Sequence, residues 1–299
     1  MYLSFYQLKE PPFRLTPDPR FLHLAEPHRV VLTSLVEGVL LRKGIIVATG
    51  PIGTGKTTLL HAALQLLSGP AIAKSLISSA FILNPVLTRD ELLEAILEEF
   101  NITSTGPSKP RRLMALHQML LETQYRGGTA VLIIDEAHLL TPELLEEVRL
   151  LNNTDTYHEK LLQVILCGQP ELQPLLARPE MSALRQRIAS RCVLRPLSPA
   201  ETRAYIAERL HAAGLRAASP FTGPALDEIH AVTKGVPRLI NLVCDGALSL
   251  GFSQQRKQIA PDLITEAAAV LELTEASVAP PARSAIRPAG ADSSTAKPS

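Results

Sequence analysis

Gly50-Pro51-Ile52-Gly53-Thr54-Gly55-Lys56-Thr57-Thr58 is the stretch that decides the fold. Its first eight residues fit the phosphate-binding pattern G-x-x-x-x-G-K-[ST]. It lies between an apolar run at 45–49, which reads as a buried strand, and a segment at 56–67, which reads as a helix. The chemistry needs that placement. Glycines let the backbone wrap phosphates with its N–H groups turned inward. The N-terminus of the next helix adds the positive end of its dipole. Lys56 supplies a point charge for the β- and γ-phosphates, and the Thr57 hydroxyl is a ligand for Mg2+. Gly50 through Thr58 are therefore candidate contacts for a nucleoside triphosphate.

Further along, Val131-Leu132-Ile133-Ile134-Asp135-Glu136 is an apolar run ending in two acids. A carboxylate at such a strand end reaches a metal beside the phosphate loop, which fits Asp135 as a second metal ligand with Thr57. Glu136, one residue on, points elsewhere and can polarise water for in-line attack on a γ-phosphate. Asp135-Glu136-Ala137-His138 has a helicase-like spelling, but no other helicase pattern accompanies it, and His138 reads as a helix-start residue.

The rest of 44–197 alternates apolar strands with amphipathic helices. Further strands are expected at 79–83, 131–135, 161–167 and 191–194, and helices at 89–100, 110–126 and 142–151. Such alternation implies a parallel sheet covered by helices on both faces, with strands apolar throughout. From 198 the strands stop. Ser198-Pro199-Ala200-Glu201 is a capping box with proline at the first helical position. Four helices are expected there, at 199–213, 224–234, 237–250 and 261–273, forming a small all-α lid over 198–275. The first 43 residues form a separate unit of a strap and a first helix. The strap is rich in aromatics and prolines (Tyr2, Phe5, Tyr6, Phe13, Phe21), and is expected to lie extended over another surface. Residues 276–299, rich in Ala, Ser and Pro, read as a disordered tail.

Composition narrows the class. The chain has 299 residues, 46% of them hydrophobic, so a sizeable core is available. Thirty Lys and Arg oppose 29 Asp and Glu, for a net charge of +1. That excludes a polybasic nucleic-acid coat. No apolar run approaches the ~20 residues needed to cross a bilayer, and the N-terminus has no signal-peptide pattern, so a cytoplasmic location is expected. Cys167, Cys192 and Cys244 lie far apart in apolar surroundings and read as small buried hydrophobes.

With these motifs in place, residues 1–273 resemble the AAA+ ATPases of the general secretion pathway protein A (ExeA/GspA) type. Short relatives occur in pilus and exopolysaccharide loci, and transposition ATPases of the TniB/TnsC type are more distant cousins. The resemblance is carried by Met1-Tyr2-Leu3, Pro12-Phe13, the stretch from Thr16 to Leu22, Arg149-Leu150-Leu151-Asn152-Asn153, the stretch from Leu161 to Leu172, Gln186-Arg187-Ile188 with Arg191 and Leu194-Arg195-Pro196-Leu197, and the stretch from Gly235 to Asn241. It implies ATP and Mg2+ as cofactors. It implies that Arg238 is a second sensor reading the γ-phosphate of its own subunit, as a bidentate guanidinium would. Arg187 and Arg191 are the candidate arginine fingers reaching a neighbouring subunit, so a homo-oligomeric ring or filament is implied. Gln169 falls at the first-sensor position, where the wider superfamily carries Asn or Thr. The strap and His28 fall where such proteins wrap adenine.

The partner stays open between two classes. The first is a membrane-associated secretion, pilus or polysaccharide-export machine. Longer secretion relatives carry a membrane helix and a wall-binding segment. This chain ends in the tail instead, so membrane attachment is expected through another protein. The second is DNA, as in the transposition cousins, suggested by Lys109, Arg111 and Arg112 and by Arg185, Arg187, Arg191 and Arg195.

Overall fold

The computed structural model describes residues 2–15, 25–69, 76–103, 108–154 and 159–273. The whole 16–22 stretch with Phe21, most of the polar loop at 103–109 and the tail at 276–299 lie outside the described residues.

In chain order, α1 (Tyr2–Phe5) and α2 (Glu26–Leu40) lead into β1 (Ile45–Thr49), α3 (Lys56–Leu67) and β2 (Ile77–Ile82). Then come α4 (Arg89–Glu99), α5 (Lys109–Tyr125), β3 (Thr129–Ile134), α6 (Pro142–Leu151) and β4 (Leu162–Gly168). Next are α7 (Leu172–Ala177), α8 (Ser182–Arg185) and β5 (Ile188–Val193), and finally α9 (Pro199–Ala212), α10 (Gly223–Thr233), α11 (Pro237–Ser253) and α12 (Pro261–Val270). The five strands form one parallel sheet in the order β2-β3-β4-β1-β5.

The apolar character of the central strands has a direct cause. Successive side chains in β1 feed different cores: Ile45 and Val47 pack with α4, α5 and α6, while Ile46 and Ala48 pack with α2 and α3. The same alternation splits Leu132 and Ile134 from Val131 and Ile133 in β3. A strand with a core on each side has no polar face, so β1, β3 and β4 are buried along their whole length. The edge strands β2 and β5 are buried only in part.

Three strands begin earlier than the sequence pattern places them: β2 at Ile77, β3 at Thr129 and β5 at Ile188. The added positions include Thr129, Ala130, Ser78 and Ser190, whose own side chains carry little hydrophobic signal. Pairing with the neighbouring strand, not residue type, recruits them.

The C-terminal helices have their own core, built from residues such as Ile206, Leu210, Ile229, Ile240, Val243, Leu248 and Ile264. The capping box is formed as read: the Ser198 hydroxyl accepts from the Glu201 N–H at 3.3 Å, and Glu201 accepts from the Ser198 N–H at 2.7 Å. Arg195 donates to both Glu201 oxygens, at 2.7 and 3.0 Å. The Arg195 guanidinium, with the Ser198 bonds, holds the Glu201 carboxyl at a pKa of about 2.

The N-terminal segment departs from the extended strap. It opens with a short helix, and Tyr6, Leu8 and Phe13 are buried in the core of the C-terminal helices. Helix α2, read in the same unit, instead packs on the sheet. Tyr2 hydrogen-bonds Asp245, and Tyr6 donates to the Arg256 carbonyl at 2.8 Å. Buried Arg209 donates to the carbonyls of Pro12 (2.6 Å) and Arg14 (3.1 Å) and to the Tyr205 hydroxyl (2.7 Å). The attachment is thus both apolar and charge-assisted, which is how a guanidinium out of water is stabilised.

All three cysteines are buried, and burial pushes the thiols of Cys167 and Cys244 up, so they stay protonated.

Candidate active site

The loop after β1 is held in place from several directions. Gly53 and Gly55 have φ values of 78° and 96°, a region L side chains rarely adopt. Thr54 is fully buried, and its hydroxyl donates to the Pro51 carbonyl at 2.7 Å. From α2, His28 Nε2 lies 3.0 Å from the Thr54 carbonyl. His28 therefore supports the loop backbone. Tyr2 and Tyr6 of the strap are engaged with the C-terminal helices. Lys56 is buried inside the loop, its ammonium donating to the carbonyls of Gly50 (2.9 Å) and Pro51 (3.1 Å).

The strand order decides what faces this loop. Because β4 lies between β1 and β3 in a parallel sheet, the carboxyl ends of all three open on the same edge. The Thr57 hydroxyl, from the first turn of α3, donates to Asp135 Oδ2 at 2.6 Å. Asp135 is 2% exposed, and its other oxygen accepts from the Glu136 N–H at 2.8 Å. Glu136 has left-handed backbone angles, φ 49° and ψ 34°. Asp135 thus meets Thr57, while the Glu136 carboxylate lies beside His138. Glu136 Oε2 is buried without a hydrogen bond among the described residues, and His138 Nδ1 stands 3.3 Å from it.

Arg238 arrives from the far end of the chain. Its backbone N–H donates to the Gly53 carbonyl at 3.1 Å. A methyl added at Gly53 would lie 3.0 Å from Arg238 Cβ. The Arg238 side chain is exposed and has no ion pair among the described residues, so its charge is available beside the loop.

Residues 40–176 match the family model described as AAA domain. The chain is 41% identical over 261 residues to general secretion pathway protein A of Aeromonas hydrophila, covering 87% of this chain and 46% of that protein. The chain thus spans about half the length of the relative it matches. Among solved structures, Cdc6p of Pyrobaculum aerophilum superposes with a TM-score of 0.67 at 19% identity, covering 87% of this chain and 70% of that one. The ORC2 protein of Aeropyrum pernix, solved as ADPNP–ADP complexes, has a TM-score of 0.63 at 15% identity, over 91% and 73% of the two chains. Residues 40–176 thus form an AAA domain.

Around this AAA domain the remaining candidates are placed less uniformly. Arg187, between α8 and β5, is half-buried, and its charge acts on Glu146. Arg191 is exposed on the edge strand β5, in register with Val47. Neither makes a hydrogen bond or ion pair among the described residues. Gln169 enters through its backbone: its N–H points at His138 Nδ1, 3.4 Å away. Gln173 has no sequence signal: it donates to the Thr49 hydroxyl at 2.9 Å across the fold, so no local spacing marks it. His28, singled out above beside adenine, braces the loop from α2.

The donor set at the strand edge suits Mg2+. A threonine hydroxyl and a carboxylate, already in contact, are hard oxygen donors of the kind this ion takes alongside substrate phosphates and water.

Proposed function

We propose that this chain binds ATP with Mg2+ at Gly50 to Thr58 and hydrolyses it, and that the cycle is read out through the C-terminal helices acting as a lid. The observation that carries the reading is the 2.6 Å contact between Thr57 and Asp135 beside buried Lys56, with Glu136 turned out of that pair. Thr57 and Asp135 would hold Mg2+, which supplies charge neutralisation for the phosphates. Lys56 adds a further positive charge on the β/γ-phosphates. Glu136 takes a proton from water as its oxygen bonds the γ-phosphorus; the bond to the β–γ bridging oxygen breaks, and ADP leaves with that electron pair. Arg238, seated on Gly53, couples γ-phosphate to the position of α11.

The biological reading is an ATPase that drives or regulates assembly of a secretion, pilus or exopolysaccharide-export machine, working as a homo-oligomer. Its support is the likeness to the Aeromonas hydrophila secretion protein. Among the described residues no helix is long and apolar enough to cross a membrane, which suits membrane association through a partner. The residues of the DNA reading are divided. Lys109 is held by Glu147 at 3.0 Å, Arg195 by Glu201, and Arg185 donates to the Ala177 carbonyl at 3.0 Å, while Arg187 and Arg191 make no hydrogen bond or ion pair among the described residues.

The test is retention of labelled ATP at millimolar Mg2+, with phosphate release measured in parallel. Lys56→Ala is expected to weaken retention at least ~10-fold and to abolish release, because Lys56 is the loop's phosphate-facing charge. Equal retention by Lys56→Ala sinks the reading. Arg187→Ala and Arg191→Ala address the finger. One of them is expected to cut turnover by roughly 10³-fold or more while ATP affinity is kept, the size of effect an arginine finger has. Loss of ATP affinity instead assigns that arginine to its own subunit's site.

A further inference from the structure

We infer that His138 is a positioning residue for Glu136, and that it links this acid to the peptide N–H of Gln169 where β4 ends; the inference rests on the proposed ATP hydrolysis. Glu136 Oε2 is a buried carboxylate oxygen without a hydrogen bond among the described residues, and His138 Nδ1 stands 3.3 Å away. The same nitrogen lies 3.4 Å from the Gln169 N–H. Both distances are long, as hydrogen bonds of catalytic groups often are before substrate binds. The geometry admits two arrangements. With a proton on Nδ1, the ring donates to Glu136. With the proton on Nε2, Nδ1 accepts from Gln169 and Glu136 is released. One nitrogen cannot do both at once, so holding the acid and holding the β4 end exclude each other.

The backbone makes this proximity durable. His138 sits in the single helical turn Ala137–Leu139 that follows the left-handed Glu136. A methyl added at Gly168 would stand 2.9 Å from the His138 nitrogen, so the turn and the end of β4 are in direct backbone contact. A shift at Gln169 therefore reaches the histidine ring with little loss. Gln169 meets the histidine through this peptide group. His138 takes no proton from water. It fixes which way the Glu136 carboxylate points.

The substitutions His138→Asn and His138→Gln discriminate this role, because an Asn amide nitrogen falls close to where Nδ1 was, and a Gln amide nitrogen close to Nε2. The experiment measures steady-state phosphate release and fluorescent-ATP binding for the full chain and for His138→Ala, His138→Asn, His138→Gln, Glu136→Gln and Glu136→Gln/His138→Ala. The expected result is a 10- to 100-fold loss of kcat in His138→Ala with ATP affinity unchanged, in the range of general-base positioning effects. His138→Asn recovers at least a third of the wild-type rate and His138→Gln does not. Adding His138→Ala to Glu136→Gln costs nothing further. Wild-type kcat in His138→Ala overturns the inference. So does equal loss in His138→Asn and His138→Gln, which would mark a packing role. Absence of turnover in the wild-type chain overturns the ATPase reading itself, and is separated from the other failures by that control.

Discussion

Glu136→Gln is expected to lower ATP turnover by roughly 10²–10³-fold while leaving ATP bound, within the range of general-base contributions. The change is isosteric and leaves the left-handed turn in place. It also leaves the Thr57–Asp135 contact and Lys56 untouched, so the groups that hold phosphate and metal persist. What is lost is the carboxylate of this strand end that is not bound to the phosphate loop's side, since both Asp135 oxygens are occupied by Thr57 and by the Glu136 N–H. Single-turnover phosphate release and fluorescent-ATP affinity separate chemistry from binding. A trapped ATP state is also expected to favour oligomers, visible by light scattering. Turnover at the wild-type rate removes Glu136 from the role of water-activating acid.

The second large effect is on stability. Gly235→Ala is expected to cost about 3 kcal/mol or more. The residue has a φ of 74°, and a methyl there would stand 1.9 Å from the Leu197 carbonyl oxygen and 2.9 Å from its carbon. Those are backbone atoms, so no side chain can swing aside. The Leu197 N–H also donates to the Gly235 carbonyl at 2.9 Å, so moving one strand of this contact breaks the other. Gly127 is the control: its φ is also 74°, but nothing lies within 4 Å of an added methyl. Gly127→Ala carries the left-handed penalty alone, about 1 kcal/mol. By the usual scaling of ~2–4 °C per kcal/mol for domains of 150–250 residues, the melting midpoint of Gly235→Ala falls by roughly 6–12 °C and that of Gly127→Ala by a few degrees. Because Arg238 follows three residues after Gly235, ATP turnover is expected to fall with it. Equal melting shifts in the two variants refute the steric argument.

Much of the architecture was legible beforehand, for identifiable reasons. Strands buried on both faces must be apolar throughout, so 45–49 and the run ending at Ile134 announce themselves. Proline at the first turn and glycine or a capping box at the ends marked the starts of α6, α9, α11 and α12 to the residue. The edges were less readable. Ser78, Thr129 and Ser190 enter strands through hydrogen bonding to a neighbour, which residue type does not encode. The N-terminal segment was readable as material that packs, but not as to where. Its aromatics fit any apolar surface, and only the carbonyls of Pro12 and Arg14 meeting Arg209 from α9 fix the choice.

By itself, then, the amino-acid order determined the phosphate loop, the paired acids, the sheet-and-helix layering and the change to an all-helical C-terminal part. All of these depend on contacts between residues a few positions apart, or on burial by any apolar neighbour. Tertiary structure alone decided that Thr57 meets Asp135, that His28 and Gln173 brace β1 and its loop, that Arg238 rests on Gly53, and that His138 stands between Glu136 and Gln169. These pairs are joined by the strand order and by the return of the chain over the loop. Hydrogen bonds of about 3 Å between distant residues depend on those placements, which no local periodicity carries.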